Sequence, residues 1–466
     1  MGGGESRNSQ LAKYGSSLSQ AERETLQKLF RNIAGSSEAN NFTCQQFQSY
    51  FSKLGLPTSF TNGLFKSFCT PDTKGSTPSD QLTFTIFIQT SSNILKGSTS
   101  QKVSFFYNLC RYSGDGVVNG NSTQTALSAI LHLLTNSDMC FKLFPEATEW
   151  CYEEEGVKIL VEHLLSSLPS GDVVFSSDMM ERWFSNYDLL LRLFDTLVIV
   201  LLLGGETIVD DVRKVLGVSM TTEEDEELNT ERFLFPLKLP PITNGPNDKF
   251  SSSLLDRSTI LALNSFIPAI TRGKLYPLFS SAGHGESFSS MCSRAVNKGP
   301  TLLVVKDTGG CVFGVYAADS WKIGPQFFGN SDCFLFTLQP HLEVYYPSGY
   351  NNNYLYLQQN AQTLPNGMGA GGQLDYFGLW LSAEFGVGHS KAKPKCTTYS
   401  SPMLSSSEDF VIDSVEVWGV GTPKLPEGTN KSILDKDPEA KALLEMAGKT
   451  QHSAAIREPP PDDDDG

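Results

Sequence analysis

The stretch 301-TLLVVKDTGGCVFGVYAA-318 decides the fold of the carboxyl half. Two arms of apolar, β-branched and aromatic residues flank 308-TGG-310, where glycine supplies the backbone freedom a tight turn needs. The segment reads as a β-hairpin. The same texture recurs downstream in 333-CFLFTLQP-340, 342-LEVYYP-347, 354-YLYLQQ-359, 377-FGLWLSAEFG-386 and 410-FVIDSVEVWGVG-421. These runs are short and separated by Gly, Pro and Asn, as strands are. Helices are predicted near 255–267 and 286–296. The region is therefore α+β, with packed antiparallel sheets flanked by helices.

Upstream of residue 217 the period changes. In 18-LSQAERETLQKLFRNIAG-35, Leu26, Leu29, Phe30 and Ile33 recur at three and four residues behind the cap candidate Ser19. The segments 42-FTCQQFQSYFSKLG-55, 82-LTFTIFIQTSSNILKG-97 and 123-TQTALSAILHLLTN-136 continue the pattern. His132 flanks the last stripe and reads as a helix-surface histidine. The helix–loop–helix rhythm is EF-hand-like. Its loops are poor for calcium: 111-RYSGDGVVNGNS-122 puts Arg111 at the first ligand position and Ser122 where a bidentate glutamate belongs. In 70-TPDTKGSTPS-79, Lys74 takes a ligand place. These hands are expected to hold no metal.

Between the two textures, Glu223 to Glu227 form an acidic run, and Pro236, Pro240, Pro241 and Pro246 follow. Such a mixture resists both helix and sheet. The resulting division is a leader over 1–17, a helical EF-hand-like region over 18–216, a linker over 217–250, the β-rich domain over 251–421, and a tail over 422–466. The tail contains 437-DPEAKALLEMAG-448, with Asp437 as N-cap and Pro438 at the first helical position. Ala440, Leu443, Leu444 and Ala447 line one face of this short helix. Those four residues are the candidate partner-binding stripe, since so short a helix needs a docking surface, either the chain's own β-rich domain or a groove on a partner.

With 466 residues, a net charge of −15 and no basic patch, the chain is expected to be multidomain and not to bind nucleic acid. The most apolar stretch, 189-LLLRLFDTLVIVLLLGG-205, is interrupted by Arg192 and Asp195. It is too short to span roughly 30 Å of hydrocarbon and reads as a buried helix. The start lacks the apolar core of a signal peptide. It does carry M-G-x-x-x-[ST], with Ser6 in register, so Gly2 is a candidate for N-myristoylation. The nine cysteines show no C-x-x-C pair and no zinc spacing, and read as reduced thiols. The glycines of 367-GMGAGG-372 match G-x-G-x-x-G formally. With Pro365-Asn366 before them and a strand after, they are expected to shape a loop and to bind no dinucleotide. His284 and Cys292 are close enough in sequence to raise a thiol dyad, which would need a depressed thiol pKa. Neither a cofactor nor a catalytic residue emerges.

The residues 277-PLFSSAGHGESFSSMCSRAVNKGPTLLVVKDTGGCVFGVYAADSWK-322, 327-FFGNSDCFLFTL-338, 349-GYNNNYLYL-357, 377-FGLWL-381 and 415-VEVWGVG-421 together resemble a TLDc domain. The whole layout is similar to the mTOR-associated branch of that family. The resemblance implies a non-enzymatic β-sandwich that engages the peripheral sector of the vacuolar proton pump, the V-ATPase. It also implies a tie to the cytosolic face of the lysosomal membrane, with a further cytoplasmic pool, and to mTOR signalling. Because one myristoyl chain anchors only marginally, a protein contact would supply the second grip. Some family members are linked to oxidative-stress resistance, so thiol-based protection through Cys292 is the alternative.

Overall fold

The first half folds as helices because its apolar stripes lie between good caps. Helix α1 (Gln20–Ala34) begins at a capping box, in which the Ser19 side chain accepts from Glu22 N and Glu22 accepts from Ser19 N. It stops at Gly35, whose φ of 71° is left-handed. Buried Glu22 also pairs with Lys96 at 2.8 Å. Then follow β1 (Asn41–Thr43), α2 (Cys44–Phe51), α3 (Thr58–Cys69), β2 (Gln81–Thr83), α4 (Phe84–Lys96), α5 (Thr99–Ser113), α6 (Gly120–Asn136), α7 (Glu154–Leu165), α8 (Ser177–Asn186) and α9 (Asp188–Leu203). Thr43 and Thr83 end the two short strands and cap the helices after them. The computed structural model describes residues 13–70, 79–136, 140–141, 148–171, 173–204, 237, 239–242 and 251–422. The described residues fall in one compact unit.

The second half opens with α10 (Arg257–Phe266), capped by Asp256. Strand β3 (Leu275–Ser280) and helices α11 (Ser281–His284) and α12 (Phe288–Ala295) precede the predicted hairpin, β4 (Thr301–Asp307) and β5 (Val312–Ala317). Its turn closes with Gly310 N donating to Asp307 O at 3.0 Å. Buried Asp307 braces it, accepting from Cys311 N at 2.8 Å and from Ser405 Oγ at 2.6 Å. Strands β6 (Phe334–Gln339), β7 (Glu343–Tyr345), β8 (Leu355–Gln358), β9 (Gly367–Gln373), β10 (Tyr376–Ser382), β11 (Val387–His389) and β12 (Asp409–Val420) complete the set.

All pairings among β3–β12 are antiparallel. One sheet runs β3-β12-β4-β5-β6-β7. The other runs β8-β9-β10-β11 and joins the first residues of β12. Strand β12 serves both sheets, with a register irregularity between Ile412 and Ser414 where it passes from one to the other. This is the α+β architecture expected, with a two-sheet sandwich in the carboxyl half.

Every residue of β4 and β5 except Lys306 is buried, so both faces of the first sheet are covered. Leu303, Val305, Phe313 and Val315 face the second sheet, against Leu357, Met368 and Leu379. The alternate residues Leu302, Val304, Tyr316 and Phe334 join one continuous core with the helices before residue 204. The chain is thus layered as helices, first sheet, second sheet. Across the helix–sheet boundary Trp150 and Trp418 lie 5.3 Å apart. Buried Glu416 sits beside them and accepts from Trp418 Nε1, Ser252 Oγ, Ser253 N and Ser253 Oγ at 2.6–3.1 Å. A buried carboxylate without a cation persists because its acceptor sites are filled.

Candidate functional site

Gly2 and the stripe Ala440, Leu443, Leu444 and Ala447 lie outside the described residues, as do most of the 217–250 linker and all but the first residue of the tail. The sites that can be placed are in the two halves just described.

The thiol dyad lacks its chemical requirement. Cys292 is 2% exposed, and burial pushes its thiol up to about 12, with a hydrogen bond from the Gln359 side chain opposing. A nucleophilic cysteine needs the reverse shift. His284 is already engaged: its Nδ1 accepts from Ser280 N at 3.0 Å, and its ring stacks on Phe279.

The helical half carries two pairs of hands. Strands β1 and β2 place Phe42 opposite Leu82 and tie the α1–α2 hand to the α3–α4 hand. A second tie, Phe175 N donating to Val118 O at 2.7 Å, joins the α5–α6 hand to the α7–α8 hand. The hand formed by α7 and α8 carries no loop signature in the sequence and is visible only from this pairing. In the 111–122 loop, Arg111 Nε donates to Gly116 O at 3.1 Å, so a guanidinium already serves a backbone carbonyl there. Among the described residues, no three His, Cys, Asp or Glu side chains are grouped to hold a metal ion. His132 is more than a surface residue. Its Nδ1 is 2.9 Å from the Tyr152 hydroxyl and its Nε2 3.3 Å from Glu154, beside an open recess of about 610 Å³ between Leu54–Pro57 and α6.

The glycine-rich segment is strand β9, not a loop. Register aligns Tyr356, Gly369, Trp380, His389 and Asp409 in one row across β8, β9, β10, β11 and β12. A Cβ on Gly369 would meet both Phe377 and Trp380 at 2.8 Å, so glycine is what lets these rings lie flat on the strand. Phe377 and Trp380 stack at 4.4 Å, and Trp380 stacks on His389 at 5.9 Å. With Tyr356 they form a buried aromatic shelf on the outer side of the second sheet, separate from the sandwich core and covered in part by Phe327 and Leu374.

At the end of the shelf, Trp380, Ser382, Val387, His389 and Val411 line an open recess of about 360 Å³. Val387 and Val411, opposite each other in register, are 45% and 53% exposed. The His389 Nε2 is buried without a hydrogen-bond partner. Burial first, and then Lys391, pushes its pKa down to about 4, so the imidazole is neutral at pH 7. Lys391 pairs with Asp409 at 2.7 Å on the rim. An apolar, aromatic recess with an uncharged histidine and one rim ion pair can receive an apolar group.

The TLDc domain model matches residues 249–421. The MTOR-associated protein MEAK7 of Gallus gallus is 36% identical over 476 residues, covering 95% of this chain and 96% of that protein. Its Homo sapiens counterpart is 49% identical over 214 residues, 45% of this chain and 47% of that protein. Nuclear receptor coactivator 7 of Homo sapiens is 34% identical over 169 residues, 36% of this chain but only 17% of that protein. The last likeness is confined to one part of each chain, whereas the first runs through helical half and sandwich alike. On that full-length similarity the chain belongs to the MEAK7 family of TLDc-domain proteins.

Proposed function

We propose that this chain is a non-enzymatic regulatory adaptor that works at the cytosolic face of the lysosomal membrane and supports mTOR signalling. The carrying observation is the match to MTOR-associated MEAK7 proteins over nearly the whole of both chains. The surface chemistry agrees with an adaptor. The sandwich offers an apolar recess beside a buried aromatic cluster, while burial shifts the Cys292, Cys333 and Cys396 thiols away from reactivity. In this reading Gly2 carries a myristoyl group, and the peripheral sector of the V-ATPase provides the second contact that one acyl chain requires. The apolar stripe Ala440, Leu443, Leu444 and Ala447 is a further contact to that partner.

Membrane fractionation combined with pull-down tests the reading. Wild-type protein should sediment with lysosomal membranes and recover V-ATPase subunits and mTOR. Gly2→Ala should leave the membrane while keeping the same far-UV spectrum. Leu443→Ala combined with Leu444→Ala should reduce pump recovery without lowering the thermal midpoint. Recovery of neither the pump nor mTOR by the intact protein would overturn it.

A further inference from the structure

Both pairs of hands close on one helix. Helix α9 packs against α1 and α4 of the first pair and against α6 and α8 of the second. Most of its residues are buried, from Leu189 and Leu190 through Leu197 to Leu203, while Asp188, Arg192, Asp195 and Ile199 leave one part-exposed stripe. The rest of its circumference is covered by helices of both pairs. Its Phe194 ring lies 6.1 and 6.2 Å from Phe105 and Phe106 of α5. In mid-helix, Asp195 pairs with Lys102 of α5 at 2.8 Å, with side chains only 23% and 14% exposed.

Paired hands have a characteristic use, which is to take a helical ligand in the apolar groove between them. Sensor hands expose that groove on binding calcium. Here no metal-ligating cluster lies among the described residues of the hands, and a helix of the same chain fills the groove. The Lys102–Asp195 pair supports this view over plain core packing. A partly buried ion pair adds little net stability but fixes register and selects the partner that carries the matching charge.

We propose that α9 is a built-in target helix held in the channel between two calcium-free hand pairs. The channel is then a recognition site for an apolar α-helix of about four turns bearing a single carboxylate that meets Lys102. Occupancy by α9 keeps the site closed, and an outside helix of this kind competes for it.

The test uses the full-length chain and a labelled synthetic peptide of residues 188–203, flanked by lysines for solubility. The variant Leu193→Ala with Leu197→Ala loosens α9 in place. Fluorescence anisotropy should show this variant binding the peptide at least about tenfold more tightly than wild type does. The peptide should also raise the variant's lowered thermal midpoint, with or without calcium. A peptide carrying Asp195→Lys should not bind, and Lys102→Asp in the protein should restore its binding. If the double variant loses its helical far-UV signal, Asp195→Ala with the same readouts replaces it. A folded variant that ignores the peptide, or a charge-reversed peptide that binds equally well, overturns the proposal.

Discussion

Gly369 and Trp380 should be strongly coupled, and a double-mutant cycle measures this. Gly369→Ala brings two opposed effects. Relieving glycine of its conformational cost in a strand should stabilise by about 0.5–1 kcal/mol. The new Cβ, however, would sit 2.8 Å from the Phe377 and Trp380 rings, which lie flat and close-packed on the strand. Overpacking of this kind costs about 1–3 kcal/mol. The steric effect wins, and the single variant should lose about 1–2 kcal/mol. Trp380→Ala alone should cost about 3–5 kcal/mol, less to the extent that Phe377 closes the gap. Once the indole is gone, Phe377 can move into its space and the Cβ at 369 no longer clashes. In that background Gly369→Ala should be neutral or slightly stabilising. The expected coupling is about 1.5–3 kcal/mol, well outside the range of independent sites. Urea unfolding followed by far-UV circular dichroism reads all four corners without relying on the indole removed. Additive effects would refute the glycine-shelf account of β9.

Three further outcomes follow from the layering and the buried groups. Because helices and first sheet share one core, thermal unfolding of residues before 204 and of the sandwich should coincide. Glu416→Ala, which strands the buried Trp418 Nε1 and Ser252 Oγ donors and frees two donors of exposed Ser253, should lower stability by about 2–3 kcal/mol in both probes together. Two separated transitions would contradict this. Stability should fall as pH drops below 6.5. Burial lowers His389 to about 4 and depresses His163, which donates from Nδ1 to Leu342 O at 2.7 Å and has an unpartnered Nε2. In both cases the unfolded chain takes up the proton first, so no loss is expected at pH 7. For His389 the loss accumulates down to about pH 4, discounted for its partial exposure to about 1–2 kcal/mol. His389→Gln and His163→Gln should flatten the acid limb of the curve. Thiol titration of the native protein at neutral pH should label exposed Cys151 first and leave Cys292 slow. Rapid alkylation of Cys292 would revive the thiol-protection alternative.

The hairpin at 301–318 is legible because its signal is local: apolar arms, a glycine turn and nothing competing. The buried character of 189–203 is legible for the same reason, since a helix with so few polar residues has few places to go. The glycines of 367–372 mislead because their role is not local. They serve rings contributed by β10, and neighbouring residues cannot disclose a missing Cβ that a partner strand requires. The α7–α8 hand escapes notice because its loop carries no calcium-loop signature, and the Phe175–Val118 hydrogen bond betrays the pairing. His132 looks idle in the sequence because Tyr152 and Glu154 belong to the segment after its helix. The aromatic recess likewise depends on a register across β10, β11 and β12, which no single segment contains.

The layering also narrows where a partner can dock. The first sheet is covered on both faces, one by the helices and one by the second sheet, and the runs TLLVVKD and VFGVYA carry the trace of this in having almost no polar alternation. The inner face of the second sheet is spent on the sandwich core. On its outer side the three aromatic rings are themselves buried, and the open part among the described residues is the recess at Val387 and Val411, beside a histidine held neutral. Exposing Val387 and Val411 side by side carries a solubility cost that an isolated surface residue would not. A partner that covers the recess removes that cost and desolvates the Lys391–Asp409 pair on the rim. Val387→Asp should therefore weaken a partner seated there while leaving the fold intact, since the substituted side chain points to solvent. If adaptor binding survives Val387→Asp unchanged, the outer face is not the docking surface and attention shifts to the helical half.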